Sequence, residues 1–269
     1  MGRLQDRVAI VTGAGQGIGR GIARRFAREG AAVVVAERKP EHGEAAAAEL
    51  RDELGAEAMF VPTDVSRRDQ VSAMVAATVD RYGRLDILVN NAQRFTAPAP
   101  LESMPDELFA ASLDGGLWAT FWAMQAAFPH MRDAGGGRIV NFASMNGVRG
   151  AALTGNYNAA KEGIRALTRT AAREWGPHNI LVNVICPAAA SSVWLAHRAR
   201  DPENAARAEA SNPLGRMGDP ESDIGGVALF LASEDSCFIT GHTLFADGGA
   251  HLGLSVWRPS VPNAGPTGR

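Results

Sequence analysis

Short runs of apolar, largely β-branched residues recur along the chain at 8–12, 33–37, 58–61, 85–90, 138–142, 181–186 and 243–246. Between them the apolar positions change to helical spacing, over 18–29, 41–54, 67–82, 106–132, 154–175 and 221–233. A run of four to eight such residues reads as a strand, and a longer segment with one apolar residue every three or four reads as a helix. Their regular alternation predicts parallel strands joined by crossover helices. Ile87-Leu88-Val89 is apolar without interruption, which suits a sheet covered on both faces. The expected fold is α/β, a doubly wound, mostly parallel sheet of about seven strands with helices on both faces. Ligands of such a sheet sit beyond the carboxyl ends of the strands, where the strand order reverses.

Composition removes several function classes. The 269 residues are 46% hydrophobic and 21% charged, which excludes disorder and supports a large core without a metal or disulfide. With 27 Lys and Arg against 29 Asp and Glu, no long-range field draws nucleic acid or an anionic membrane surface. A small molecule is the expected partner. Cys186 and Cys237 are the two cysteines and six histidines are scattered, so no metal site or disulfide framework is expected. The first residues lack a signal-peptide pattern, and no apolar stretch nears the ~20 residues that span a bilayer. The expected location is the cytoplasm.

Chemistry concentrates at strand ends. After the first strand comes Thr12-Gly13-Ala14-Gly15-Gln16-Gly17-Ile18-Gly19 and then a helix. Glycines there let backbone N–H groups approach a pyrophosphate while the helix amino end adds partial positive charge. Glu37 ends the second strand, where a carboxylate grips ribose hydroxyls and repels a 2′-phosphate. Arg38 and Lys39 follow at once and would attract that phosphate, so NAD is expected with NADP as the alternative. Tyr157 and Lys161 lie four apart in a helical segment and share a face. A neighbouring ammonium favours the phenolate, so the pair is a candidate general acid/base. Ser144 lies just past the fifth strand, where its hydroxyl can bind a carbonyl oxygen.

Together these motifs resemble the short-chain dehydrogenase/reductase family in its compact single-domain branch. The matching residues run from Val8 to Gly249 and include Asp64-Val65, Asn90-Asn91-Ala92, Ser144, Tyr157, Lys161, Pro187 and Asp247-Gly248-Gly249. The resemblance implies a Rossmann-type fold and hydride transfer between a nicotinamide and a secondary alcohol or ketone. In it Tyr157 handles the proton, Ser144 binds the substrate oxygen, and Lys161 also holds the nicotinamide ribose. It implies a cofactor set of Gly13, Gln16, Gly17, Ile18, Gly19, Glu37, Arg38, Asp64, Val65, Asn90, Ala92, Tyr157, Lys161, Pro187, Ala190 and Ser192. A homotetramer, or a homodimer, built on the helices at 106–132 and 154–175 is implied in the same way. Residues 1–253 are expected to be one dinucleotide-binding and catalytic domain, with 188–219 covering the substrate and 254–269 a tail.

Three positions depart from the family pattern. Gly116 stands where an asparagine usually completes a proton relay, Gln93 follows Asn-Asn-Ala in place of glycine, and Ala188 follows Pro187 in place of glycine. The expectation is a relay using extra water in the space left by Gly116, or a slower enzyme. Gln93, Phe95, Met145, Asn146 and Trp194 are candidate substrate residues, with Val148 and Leu195 beside them. They make an apolar lining suited to a hydrophobic or cyclic ketone. The alternatives are an NADP-dependent 3-oxoacyl thioester reductase, a weakly catalytic dinucleotide-binding sensor, and a methyltransferase-like nucleotide binder that shares the glycine loop alone.

Overall fold

The computed structural model describes residues 2–253; the expected tail at 254–269 lies outside the described residues. Seven strands form one sheet: β1 (Val8–Thr12), β2 (Ala32–Glu37), β3 (Ala58–Pro62), β4 (Ile87–Asn90), β5 (Gly137–Phe142), β6 (Ile180–Pro187) and β7 (Thr243–Ala246). Their order is β3-β2-β1-β4-β5-β6-β7, and every neighbouring pair is parallel. The fold is thus the doubly wound Rossmann type. The chain runs outward from β1 to β3, crosses back to β4, and then runs outward the other way. The carboxyl ends of β1 and β4 are therefore the place where loops diverge and a cleft opens.

The period-two geometry of a strand sends successive side chains to opposite faces, and both faces are buried here. Ala9, Val11, Val33 and Val35 pack on one side with Ile22 and Phe26 of α1 (Gly17–Arg28) and Leu50 of α2 (Pro40–Asp52). Ile10, Val34, Leu88 and Ile139 face the other side, against Met74 of α3 (Arg68–Tyr82). The helical segment at 106–132 divides into α4 (Asp106–Ser112), a π-helical turn (Leu113–Trp118) and α5 (Ala119–Asp133). Two glycines in succession weaken the helix there, and the loop after β4 presses on its backbone. A Cβ on Gly115 would lie 2.4 Å from Arg94 Cβ.

Two further helices follow the site-bearing strands: α6 (Met145–Arg149) after β5 and α7 (Gly155–Trp175) behind it. The segment at 188–219 holds α8 (Ser192–Arg200) and α9 (Pro202–Ser211), and a parallel bridge joins Ala189 to Gly218. The periodicity at 221–233 becomes a π-helical turn (Pro220–Ile224) followed by α10 (Gly225–Ala232).

At the amino ends of the strands, Asp86 fixes β1 against β4. Its buried carboxylate accepts from Val8 N (2.9 Å), Arg7 Nη1 (3.1 Å) and Arg84 Nε (2.8 Å). Removing the carboxylate leaves half-exposed arginines and the buried Val8 N–H without its acceptor, a loss of about 1–3 kcal/mol. Asp86→Ala should lower the unfolding free energy by that order in a denaturant titration.

Candidate active site

The glycine loop is shaped by contacts at the β1 and β4 carboxyl ends. Thr12 Oγ1 donates to Val89 O (3.2 Å) and accepts from Asn91 N and Ala92 N (each 3.0 Å), while Asn91 Nδ2 donates to Thr12 O (2.9 Å). These bonds bring the two loops so close that side chains are excluded. A Cβ on Gly19 would stand 2.3 Å from Gly13 O and 2.6 Å from Asn91 Nδ2. Gly13 and Gly17 have φ of 66° and 55°, a region closed to most other residues. The first turn of α1 has no acidic side chain and Gln16 makes no capping bond, which leaves its N–H groups for an anion.

From there the cleft passes the ends of β2 and β3. Glu37 Oε1 accepts from Arg38 N (2.9 Å) and Lys39 N (3.1 Å), which fixes its carboxylate at the rim. Partial burial opposes ionisation of Asp64, but hydrogen bonds from Ser66 and the charges of Arg38 and Arg94 outweigh it and hold the pKa below the usual carboxylate value. A dinucleotide fits this groove: bare N–H groups for phosphate, a carboxylate at the rim, and a cavity of about 1020 Å³.

At the other end α7 presents Tyr157 and Lys161. Asn156 orients the helix entry: Nδ2 donates to Thr96 Oγ1 (2.8 Å) and Leu108 O (2.9 Å), and Oδ1 accepts from Tyr157 N (2.8 Å). The fully buried Lys161 Nζ donates to Phe142 O (2.9 Å) at the end of β5 and stands 5.5 Å from the centre of the Tyr157 ring. Phe95 stacks on that ring at 5.7 Å. Ser144 accepts from Asn146 N (3.2 Å) as the cap of α6 and hydrogen-bonds the Tyr157 phenol. Burial pushes that phenol above its ordinary value, and the Ser144 bond draws it back in part. Burial also pulls the Lys161 ammonium down to about 8. Burial thus holds the phenol above its ordinary value, where the Tyr–Lys spacing alone suggested an eased ionisation.

The sequence candidates are largely brought together. Gly13, Gln16, Gly17, Ile18, Glu37, Arg38, Asp64, Val65, Ala92, Gln93, Phe95, Ser144, Asn146, Tyr157, Lys161, Pro187, Ser192 and Trp194 line one cleft. Gly19, Asn90, Met145 and Ala190 stand outside its lining. Gly19 packs inside the loop, and Asn90 Nδ2 turns along the sheet to Asn141 Oδ1 (2.9 Å). Val148 and Leu195 are exposed. Arg94, Arg200 and Met217 join the cleft without having been singled out; a helix face turned toward a cleft and one turned toward solvent carry the same pattern. The carbonyl of Phe142 has no sequence signal at all.

The space beside Gly116 is not left for water as expected. A Cβ there would lie 2.6 Å from Gln93 Oε1 and 3.0 Å from Gln93 Nε2, because the glutamine amide occupies it.

Comparison with known proteins agrees with this geometry. The family model described as enoyl-(acyl carrier protein) reductase matches residues 13–251. The chain is 38% identical over 255 residues to a 12alpha-hydroxysteroid dehydrogenase of a Clostridium species, covering 93% of this chain and 98% of that one. It is 40% identical over 258 residues to an L-fucose dehydrogenase of Oryctolagus cuniculus, covering 93% and 87%. The crystal structure of levodione reductase superposes with a TM-score of 0.88 at 35% identity, covering 93% of this chain and 99% of the other.

The two tyrosines, Tyr82 and Tyr157, are both raised above 10.0, mainly by burial. A raised phenol keeps its proton to higher pH. Ultraviolet titration should place both tyrosinate midpoints above pH 10.0, and a midpoint below it that Tyr157→Phe abolishes would contradict the burial argument.

Proposed function

The chain belongs to the short-chain dehydrogenase/reductase family and is a nicotinamide-dependent oxidoreductase of alcohols and ketones, and on that footing we propose which residues carry the reaction. The grouping of Ser144, Tyr157 and Lys161 at the β5 edge, in one cleft with the glycine loop, carries this reading. The nicotinamide, when bound, supplies or accepts the hydride. Tyr157 donates its phenolic proton to the carbonyl oxygen during reduction and takes it back during oxidation. Ser144 donates a hydrogen bond to the same oxygen and steadies the charge that develops on it. Lys161 holds positive charge near the phenol and one ribose.

Gly13, Gln16, Gly17 and Ile18 hold the pyrophosphate through backbone N–H groups, with Gly19 setting the shape of the loop. Glu37 holds the adenosine ribose, Asp64 and Val65 the adenine, and Ala92 the wall between the two halves, with Asn90 fixed behind it by its bond to Asn141. Pro187 and Ser192 hold the carboxamide end, with Ala190 tied to Gly218 O outside the lining. NAD is the preferred dinucleotide, since the Glu37 carboxylate stands at the end of β2 where a 2′-phosphate would lie. Phe95 on the Tyr157 ring, with Asn146 and Trp194, favours an apolar or cyclic ketone; Met145 supports this wall from behind. A second reading, an NADP-dependent reductase of 3-oxoacyl thioesters, is favoured by Arg38 and Lys39 on the same rim.

Residues 1–253 form one catalytic domain in this reading, with α8 and α9 as the cover. The chain assembles as a homotetramer or homodimer through the helices at 106–132 and 154–175, where Trp118 of the π-helical turn, 45% exposed, stacks on Trp122 of α5. No described helix is long and apolar enough to cross a membrane, and we place the protein in the cytoplasm.

Absorbance assays with NADH and NADPH over a ketone and alcohol panel test the reading. Turnover of cyclic or apolar ketones with NADH is expected, and Glu37→Ala should erase the preference for NADH. Dominant turnover of 3-oxoacyl thioesters with NADPH selects the second reading. Tyr157→Phe should lower kcat by about 10²–10⁴-fold with dinucleotide binding retained; unchanged turnover contradicts the assignment.

A further inference from the structure

Asp247-Gly248-Gly249 has no part in the catalytic assignments, yet the turn it forms just past β7 is densely bonded. The fully buried Asp247 carboxylate accepts from Gly249 N (3.0 Å), His251 N (2.8 Å) and His251 Nδ1 (2.9 Å). A carboxylate only accepts, so Nδ1 carries the proton. The His251 side chain, one third exposed, stacks on Phe245 of β7 with ring centres 4.8 Å apart. Gly248 and Gly249 have φ of 62° and 88°, a backbone that side-chain-bearing residues rarely adopt.

Three parts of the site meet on this turn. The first is the far end of the segment at 188–219. Asn212, buried just after α9, donates from Nδ2 to Asp247 O (2.8 Å) and Arg216 O (3.0 Å). Beside it Leu214 N donates to Gly248 O (3.3 Å), and a Cβ on Gly249 would stand 2.9 Å from Pro213 Cγ. From there the chain runs to Met217 in the cleft lining and to Gly218, which bonds Ala188 and Ala190 at the start of the same segment. The second part is α6, the helix that Ser144 caps, whose Arg149 Nη2 donates to Ala250 O. The third is the core behind the catalytic edge. Phe245 packs on the cluster of Ala143, Ile164, Val184 and Cys186, and Ala143 precedes Ser144 in the chain.

Resting on the reading of α8 and α9 as the substrate cover, we propose that His251 is a positioning residue for ketone binding: its bond to Asp247 pins the turn that holds the far end of the cover to the Ser144 side of the cleft. His251 stands outside the cleft lining, so it acts through the turn and touches no reacting atom. What it sets is the fraction of time the cover is closed. A cover less often closed weakens apparent substrate affinity by that fraction and leaves the closed complex unchanged. The glycine loop and Glu37 belong to other elements, and dinucleotide binding does not depend on the pin.

His251→Leu keeps apolar bulk against Phe245 and removes the donor, whereas His251→Asn keeps a side-chain N–H at the same reach. His251→Leu should raise the ketone KM about tenfold, the size of one lost hydrogen bond to a charged group, with kcat and NADH affinity within about twofold of the parent. His251→Asn should restore most of the KM. Limited trypsin digestion, with fragments identified by mass, reads the cover without turnover. His251→Leu should speed cleavage at the exposed Arg198, Arg200 and Arg207 of the cover, while Arg51 of α2 and Arg81 of α3, exposed as well, are cut at the parental rate. Parental KM or parental cover cleavage in His251→Leu overturns the proposal. So does a loss confined to kcat, a KM rise that His251→Asn does not reverse, or faster cleavage at every one of these arginines. A parent protein that turns over no ketone or alcohol sinks the functional reading instead, and the trypsin comparison then decides the role of His251 by itself.

Discussion

The site depends on one buried cation. Lys161 Nζ is removed from solvent, tied to the Phe142 carbonyl at the end of β5, and set over the Tyr157 ring. Burying an ammonium is costly unless its donors are used, and the cost appears in the fall of its pKa to about 8. The chain accepts that cost where β5, α7 and the cleft meet. Phe142 O aims the ammonium, Asn156 aims the start of α7, and the helical repeat then places Tyr157 and Lys161 on one face. Four residues of sequence separation become a fixed relation between a phenol and a charge.

The rest of the fold delivers partners to this point. Parallel pairing puts every strand's carboxyl end on one edge, so a loop after β1, a cap after β5 and a cover after β6 converge without long excursions. Glycines appear where the convergence is tightest, at Gly13 and Gly19 against the β4 loop and at Gly115 and Gly116 against Arg94 and Gln93. The two close approaches differ in chemistry. The first exposes backbone N–H groups to an anion, and the second presses a side-chain amide against a helix turn.

Much of this was legible in the sequence, for physical reasons. Strand and helix periodicities differ, so β1 and β7 are found at 8–12 and 243–246 as expected, and the other strands differ by a residue or two at their ends. The glycine loop, Ser144, Tyr157 and Lys161 were recognisable because their spacing is local. What escaped was non-local. The π-helical turn has a loop more than twenty residues away pressed on its two glycines, the raised pKa of Tyr157 arises from burial, and the Gln93 amide is placed by contacts with that turn. Gly116 read as a vacancy because the residue that fills it belongs to another element. The same limit applies to α6, which is too short at Met145–Arg149 to show a period.

The direct test of the account is the pH dependence of kcat/KM for the reduced dinucleotide, which reports groups of the free enzyme. Lys161 has its pKa lowered to about 8, so its charge is present below that pH and is lost as the pH rises through it. Tyr157 is shifted the other way and stays protonated over the same interval. The account predicts a profile level on the acid side that descends through an alkaline limb near pH 8. A profile that stays level to pH 10.0, the ordinary value of a phenol, would contradict it, because the buried ammonium would then not be the group on which the site depends.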